Sequence, residues 1–329
     1  MFKILAHIKK KLVIYLPVTM ILAVVYGYFI DPAPLKSLVP VIVFFMVYPM
    51  MVTLRYKELL SKGNTRLHLV AQGVNFIIFP VMGYVIGRVF FSDNPYIMIG
   101  LLLMALLPTS GMTISWTGFA KGNVSAAIKM MVIGLILGSV LMPLYLKLFL
   151  GETAGIPFSS IINEIVKVVF IPMALGFGTQ KFLLRKFGKD RFQNDFKKKI
   201  PLIATAALVG IVFISTAMRA KVIVADPSMM VRIFLVLSVS YFFAFLIVTI
   251  IAKAMFERED GIALIYGTVM RNLSIALAIA LSIFATAGSE VALIVAVGFV
   301  VQIQGAALYL KLVDKVYKPL EKELLLEVN

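Results

Sequence analysis

The chain has no cysteine, and that single absence removes disulfides, thiolate metal centres and thiol nucleophiles together. Only two histidines are present, His7 and His68, both near chain or helix ends. No His-Glu-x-x-His pattern, no phosphate-binding glycine loop and no intramembrane aspartate pair occurs, so the expectation is not an enzyme and no cofactor or metal site is read. Charge is scarce as well. Charged residues make up 15% of the chain against 61% hydrophobic residues, and mean hydropathy is +1.00. A water-soluble fold has no way to hide that much apolar surface.

What is abundant is apolar sequence in stretches of roughly 18 to 25 residues, the length a helix needs to cross a hydrocarbon core. The pattern predicts an all-α integral membrane protein with ten transmembrane helices over 12–30, 35–54, 67–91, 96–120, 123–150, 157–180, 200–219, 230–256, 261–284 and 289–312. Turn chemistry separates them: Asp31-Pro32-Ala33-Pro34, Ser61-Lys62-Gly63-Asn64, Ser92-Asp93-Asn94-Pro95, Gly151-Glu152, Asp226-Pro227-Ser228 and Ala287-Gly288-Ser289. The basic start, Met1 to Lys11, runs into an apolar stretch without a small-residue cleavage pattern, so it reads as the retained flank of the first span.

Lysine and arginine outnumber aspartate and glutamate by 32 to 16, a balance that in a soluble protein would suggest nucleic acid. Their positions argue for lipid instead. With the N-terminus inside, the alternate loops hold Lys3, Lys9, Lys10, Lys11, Arg55, Lys57, Lys62, Arg66, Lys121, the run from Lys181 to Lys199, Lys253, Arg258, Lys311, Lys315, Lys318 and Lys322. The other side holds only Lys36, Arg88, Lys147, Arg219, Lys221 and Arg232. That bias predicts a multi-pass protein of the cell (plasma) membrane with both termini cytoplasmic. The longest basic loop, 180–199, interleaves Phe182, Leu183, Phe187, Phe192 and Phe196 with its cations, as a helix lying on anionic lipid would.

Five spans precede Gly151 and five follow, so two inverted repeats are expected, 1–152 and 153–329. An odd number of spans per half inverts the second relative to the first, an architecture common among alternating-access transporters. Gly122-Asn123-Val124-Ser125-Ala126-Ala127 and Gly288-Ser289-Glu290-Val291-Ala292-Leu293 begin the fifth and tenth spans as a weak echo.

The fourth span of each half is interrupted at mid-depth, by Pro108-Thr109-Ser110-Gly111-Met112-Thr113 and by Gly267-Thr268-Val269-Met270-Arg271-Asn272-Leu273-Ser274. Unwound peptide groups there need protein, ion or solute partners, because lipid offers none. The alternative is a pair of kinked helices with back-bonded hydroxyls. Arg271 is the sharpest residue: a cation at mid-membrane costs about 2.5–3.5 kcal/mol on insertion scales and persists only with a partner or a function. Lys129 is the second, either buried or snorkelling to an interface. Glu164 and Lys167 can pair with each other, and no other span carries a deep carboxylate. Arg271 therefore implies an anionic ligand or helix C-terminal carbonyls. The candidate solute-binding set is Arg271, Asn272, Ser274, Thr109, Ser110, Thr113 and Lys129.

At these broken spans the chain resembles the bile acid:sodium symporter superfamily, and within it the arsenical-resistance arsenite efflux permeases. The resemblance rests on Val47-Tyr48-Pro49-Met50-Met51-Val52, Trp116 to Gly122 with Phe119-Ala120-Lys121-Gly122, Ile171-Pro172 with Gly176, and Asn272 followed by Ala276 to Ala280. It implies a panel of spans one, two, six and seven beside a core in which spans four and nine cross. Relatives differ at telling places. The arsenite permeases carry a cysteine where Thr109 stands and an acidic residue near Ser274 or Ile275, so the soft ligand for a thiophilic metalloid is missing. Sodium-coupled members place Asn at the position of Ile114, small hydroxyls at Ala127 and Met131, Glu at Gly267 and Gln at Arg271. The resemblance implies lost sodium sites, with Arg271 and Lys129 as permanent positive charge in their place.

The expected function is secondary active transport of a small anion or metalloid oxyanion by alternating access, sodium-independent, with protons or exchange as coupling. Arsenite or antimonite efflux and bile acid or organic anion symport are alternatives, and a channel or membrane receptor is the rival class. Expected partners are the lipid bilayer, a small anionic solute and anionic lipids at 180–199, with no nucleic acid.

Overall fold

The computed structural model describes residues 2–56, 63–150, 158–283 and 287–317. The expected turns at Ser61-Lys62 and Gly151-Glu152, and the cations Lys57, Lys62, Lys318 and Lys322, lie outside them. Among the described residues the chain is all helix, with eight helices long and apolar enough to cross a membrane, or nine if one bent pair counts as a span.

In chain order these are α1 (Leu12–Phe29), α2 (Ala33–Val52), α3 (Thr65–Phe90), the bent pair α4 (Pro95–Leu106) and α5 (Gly111–Phe119), and α6 (Val124–Leu150). A helical stretch Phe158–Ala217 follows, containing α7 (Phe158–Ile165), α8 (Ile171–Arg191) and α9 (Lys197–Ala217). The last four are α10 (Pro227–Met255), α11 (Arg258–Val269), α12 (Leu273–Ile283) and α13 (Gly288–Val316). The starts use the turn residues of the sequence: Asn64 accepts from the Leu67 N–H, Asn94 from Tyr96 and Ile97, and Asp226 from Ser228 and Met229.

Side chains such as Phe29, Leu148 and Leu69, each more than two-thirds exposed, point outward from the bundle, where only hydrocarbon could cover them. The protein is thus a multi-pass membrane protein seated in the bilayer.

Packing divides the helices into two groups. α1, α2, α8 and α9 pack on one another. There Gly176 of α8 lies so close to α2 that a Cβ would sit 2.7 Å from the Met51 carbonyl carbon, and Tyr48 bonds Thr179 at 2.7 Å. The Tyr-Pro-Met-Met stretch and Gly176 thus form one close helix contact, as small residues permit in membranes. The other group contains α3 to α6 and α10 to α13, and α12 and α13 touch both. The Ala-Lys-Gly stretch makes the tight turn from α5 to α6: Lys121 has φ 56°, and a Cβ on Gly122 would lie 2.4 Å from Ile262 of α11.

Two local features differ from the sequence expectation. The first part of the basic stretch 180–199 continues α8, and Gly188, with φ 78°, breaks the direction. Its aromatics are partly spent on each other, the Phe187 and Phe196 rings meeting at a tilt with centroids 5.2 Å apart while Phe192 is buried. α3 also contains a π-turn, Val74–Ile78, near its middle. Lys167 and Glu164 pair at 2.8 Å, as their spacing suggests.

Candidate functional site

The site is built by two interruptions. Between α4 and α5 the chain leaves helical geometry over 107–110, where Pro108 lacks an N–H, and the two pieces are bent by 60°. Between α11 and α12 it does so over 270–272. The two breaks satisfy each other: Ser110 N–H donates to the Met270 carbonyl at 3.2 Å, and Asn272 N–H donates to the Leu107 carbonyl at 2.8 Å. Two short non-helical segments pair like strands, which is how irregular backbone survives at membrane depth.

Hydroxyls tighten the junction. Thr109, held at φ 58°, donates to the Gly267 carbonyl at 2.6 Å, and Thr113 donates to the Tyr266 carbonyl at 3.2 Å. Both side chains are fully buried. Their donors are therefore spent on the end of α11. A positive φ is costly for a β-branched residue and persists only where the surroundings impose it, here through that bond.

Arg271 is buried, with 3% of its surface exposed. Its guanidinium donates from Nε to the Met104 carbonyl at 3.0 Å, from one terminal nitrogen to the Thr268 carbonyl at 2.9 Å and Asn75 Oδ1 at 2.6 Å, and from the other to the Ala105 carbonyl. It also lies over the Phe79 ring, 4.8 Å from the centroid. Met104 and Ala105 end α4 and Thr268 ends α11, so every one of these oxygens is neutral and three belong to helix C-termini. Those ends carry partial negative charge, and a cation between them is favoured without any carboxylate. Of the two kinds of partner inferred from the sequence, the structure supplies the carbonyls.

Three further residues hold Arg271 in place, one at its guanidinium and two through its backbone, and the reading of the breaks alone missed them. Asn75 projects from α3. Gln302, fully buried on α13, accepts from the Arg271 N–H at 2.7 Å and donates to the Arg271 carbonyl at 3.2 Å. Tyr241 of α10 donates to the same Gln302 oxygen at 2.9 Å. The signal they leave in the sequence is an amide within an apolar span, Asn75 with Gln72 nearby and Gln302 with Gln304, which merits weight beside a lone charge.

The opposite ends of the broken helices look different. Ser110 caps α5, accepting from the Met112 N–H at 3.2 Å, and Asn272 caps α12, accepting from Ile275 at 3.3 Å. Beside them Ser274 is half-buried and Gly111 is exposed; a Cβ there would meet nothing within 4 Å. These two helix N-termini carry the positive partial charges of the junction. Lys129 is not among these groups. Its ammonium lies beside Gly63 and His68 at the Asn64 end of α3. A shallow groove among α3, α4 and α10 is lined in part by Arg271, but Phe79, Leu237, Tyr241 and Ala244 make it apolar, a poor place for a small anion.

Comparison with known proteins agrees with this architecture. The pattern of the Sodium Bile acid symporter family matches residues 40–226. The arsenical-resistance protein Acr3 of Alkaliphilus metalliredigens (strain QYMF) is 24% identical over 276 residues, covering 79% of this chain and 76% of the relative. Sodium/bile acid cotransporter 7 of Mus musculus is 25% identical over 244 residues, covering 71% and 69%. The uncharacterized protein YbaS of Bacillus subtilis (strain 168) is 23% identical over 245 residues, covering 73% and 76%. Matched over more than half its length and built of helices that fit a bilayer, the chain belongs to the Sodium Bile acid symporter family and is a multi-pass membrane transporter.

Proposed function

We propose that this transporter moves a small anion or metalloid oxyanion by alternating access, without sodium, and that Arg271 is a built-in replacement for a dissociable coupling cation. The observation that carries the proposal is the cage of carbonyls from Met104, Ala105 and Thr268 around the guanidinium. Negative helix ends that would otherwise call for a metal ion already hold a covalently attached charge. The positive ends, at Ser110–Met112 and Asn272–Ser274, are then the place for the anion, with Ser110, Asn272 and Ser274 offering hydrogen bonds. Thr109 and Thr113 support that place from behind, and Lys129 contributes only from a distance.

Ten spans follow if Phe158–Ala217 is two. A helix of that length would run on the order of 90 Å, about three bilayer cores, and it breaks direction at Gly188. Ten spans place both termini on one face, which the lysine and arginine bias makes cytoplasmic, in the plasma membrane. Two inverted repeats, 1–152 and 153–329, are supported by matching polar ties at the two faces. Asp260 at the start of α11 accepts from Asn64 and Asn123, which open α3 and α6. Across the membrane, Asn94 at the start of α4 donates to Glu290 of α13, and neighbouring Asp93 meets Arg232 of α10 at 3.7 Å. Inversion exchanges these two sets, helix for helix. The two packing groups then act as panel and core, with anionic lipid at 180–199.

A second reading, arsenite or antimonite efflux, draws on the relative named for arsenical resistance. Bile acid symport draws on the cotransporter relatives. The deciding experiment is uptake into proteoliposomes with sodium replaced by potassium, across organic anions and oxyanions. Saturable, sodium-independent uptake with counterflow supports the proposal; a strict sodium requirement defeats the role given to Arg271, and current linear with gradient indicates a channel. Protection of an arsenite-sensitive host favours the second reading.

A further inference from the structure

Helix α3 carries polar atoms that the junction does not use. His68, Gln72 and Asn75 stand four and three residues apart and so share one face, on a helix that packs against α6 and α11. His68 and Asn75 are buried and Gln72 is half-buried. Each of them has buried polar atoms that find no partner among the described residues: His68 Nδ1, both amide atoms of Gln72, and Asn75 Nδ2. Turning the Asn75 amide does not help, because the guanidinium offers only donors and must face Oδ1. Its N–H₂ group is therefore aimed elsewhere, unpaired. Leaving a run of such atoms dry is costly, and native proteins satisfy them with ordered water.

The chemistry of the run selects its occupant. Gln72 Oε1 is an acceptor only, while Gln72 Nε2 and Asn75 Nδ2 are donors only. An anion would meet the acceptor badly, a cation would meet the donors badly, and water serves both. At one end of the face lie Asn64, Asp260 and the Lys129 ammonium; at the other lies Arg271. We infer that a file of ordered waters runs along His68, Gln72 and Asn75, forming a hydrated passage from the Asn64 end of α3 to the Arg271 guanidinium. This passage supplies water to the junction by a route separate from the open side of Gly111. It rests on the orphaned atoms alone and holds whatever the transported solute is.

The cysteine-free chain makes the test direct. Gln72→Cys, Leu69→Cys and Leu102→Cys proteins, in lipid vesicles, are treated with methanethiosulfonate ethylammonium and followed by intact mass. Leu69 faces outward and Leu102 is fully buried in the apolar core. Only a thiol in contact with water ionises and reacts, so position 72 should react about tenfold faster than either control, or more. A rate at position 72 equal to that at position 102 overturns the passage. Should Gln72→Cys fail to fold, the melting temperature of Gln72→Leu decides. A fall is expected, as bridging waters lose their anchor between His68 and Asn75, whereas a rise would mean that a dry, unpaired amide had been removed and would overturn the inference.

Discussion

The two sides of the helix junction make opposite uses of the same backbone chemistry. On one side, carbonyls from Met104, Ala105 and Thr268 converge and are closed by Arg271. On the other, the first turns of α5 and α12 present N–H groups, capped only by Ser110 and Asn272, with Gly111 open beside them. A broken helix exposes a negative end and a positive end at one depth. This protein has sealed the negative pair with its own side chain, while the positive pair, its caps Ser110 and Asn272 buried, opens beside the exposed Gly111 and the half-buried Ser274. Changes on the sealed side should therefore cost stability first, and changes on the open side should cost affinity first.

The largest effect is expected from Arg271→Ala. Several buried carbonyls and Asn75 Oδ1 lose their donor at once, each stranded acceptor costing about 1–3 kcal/mol. The melting temperature in detergent should fall further than for any other single substitution at the junction, and transport should fall at least tenfold. Guanidinium chloride at low millimolar concentration, compared with sodium chloride, sharpens the test. Stabilisation of Arg271→Ala, but not of the native protein, by guanidinium shows a vacated cation cage; the absence of rescue by any cation removes the idea that Arg271 replaces one. Arg271→Lys should fall between native and Ala, because an ammonium has three donors and no planar fork to reach four oxygens.

Next in size is Gln302→Leu. This amide closes a two-bond ring with the Arg271 backbone and accepts from Tyr241, so its loss strands the Arg271 N–H and carbonyl inside the protein. A destabilisation of about 2–3 kcal/mol is expected, measured by thermal or chemical denaturation in detergent. Equal stability of Gln302→Leu and native protein would mean that the sealed side does not depend on that amide.

Much of this was legible in the sequence, and the limits have physical causes. Span lengths could be read because hydrocarbon thickness imposes them. The interruptions could be read because a proline frees backbone groups, and a cation at mid-membrane demands a partner that lipid does not provide. Thr109 and Thr113 were legible as important but not in role: a hydroxyl can face a solute or a neighbouring carbonyl, and only the placement of α11 decides. Lys129 was ambiguous because a four-carbon stem reaches either way, and its ammonium goes to the His68 end. Asn75 and Gln302 gave only a faint signal: a neutral amide barely lowers the hydropathy of a span, yet Asn75 accepts from the guanidinium and Gln302 pairs with the Arg271 backbone. The basic stretch 180–199 showed its charge but not that Gly188 would turn the chain within it.

A smaller effect separates the two packing groups rather than the two helix ends. Arg219, just after α9, reaches Glu290 at 2.6 Å and Ser289 at 3.1 Å on α13, and the ion pair is mostly shielded. Arg219→Ala should cost about 1 kcal/mol or less, as partly exposed pairs do. It should also loosen that face, so a thiol placed at position 293 should gain reactivity toward a polar reagent. Unchanged reactivity there would mean that the pair does not hold the two groups together.

The smallest change in stability and the most selective change in function should come from Ser274→Ala. Ser274 is half-buried at the start of α12, and among the described residues no hydrogen bond fixes its hydroxyl. Its loss strands nothing, so the melting temperature should stay within the range of an ordinary surface substitution, about 0.5 kcal/mol. If the solute sits at the positive helix ends, that hydroxyl donates to it, and a neutral hydrogen bond of about 1 kcal/mol predicts an increase in KM of roughly fivefold with little change in maximal rate. Uptake kinetics and a melting curve on the same preparation measure both quantities. A large loss of stability with unchanged KM would place Ser274 on the structural side of the junction and reverse the assignment of the open end.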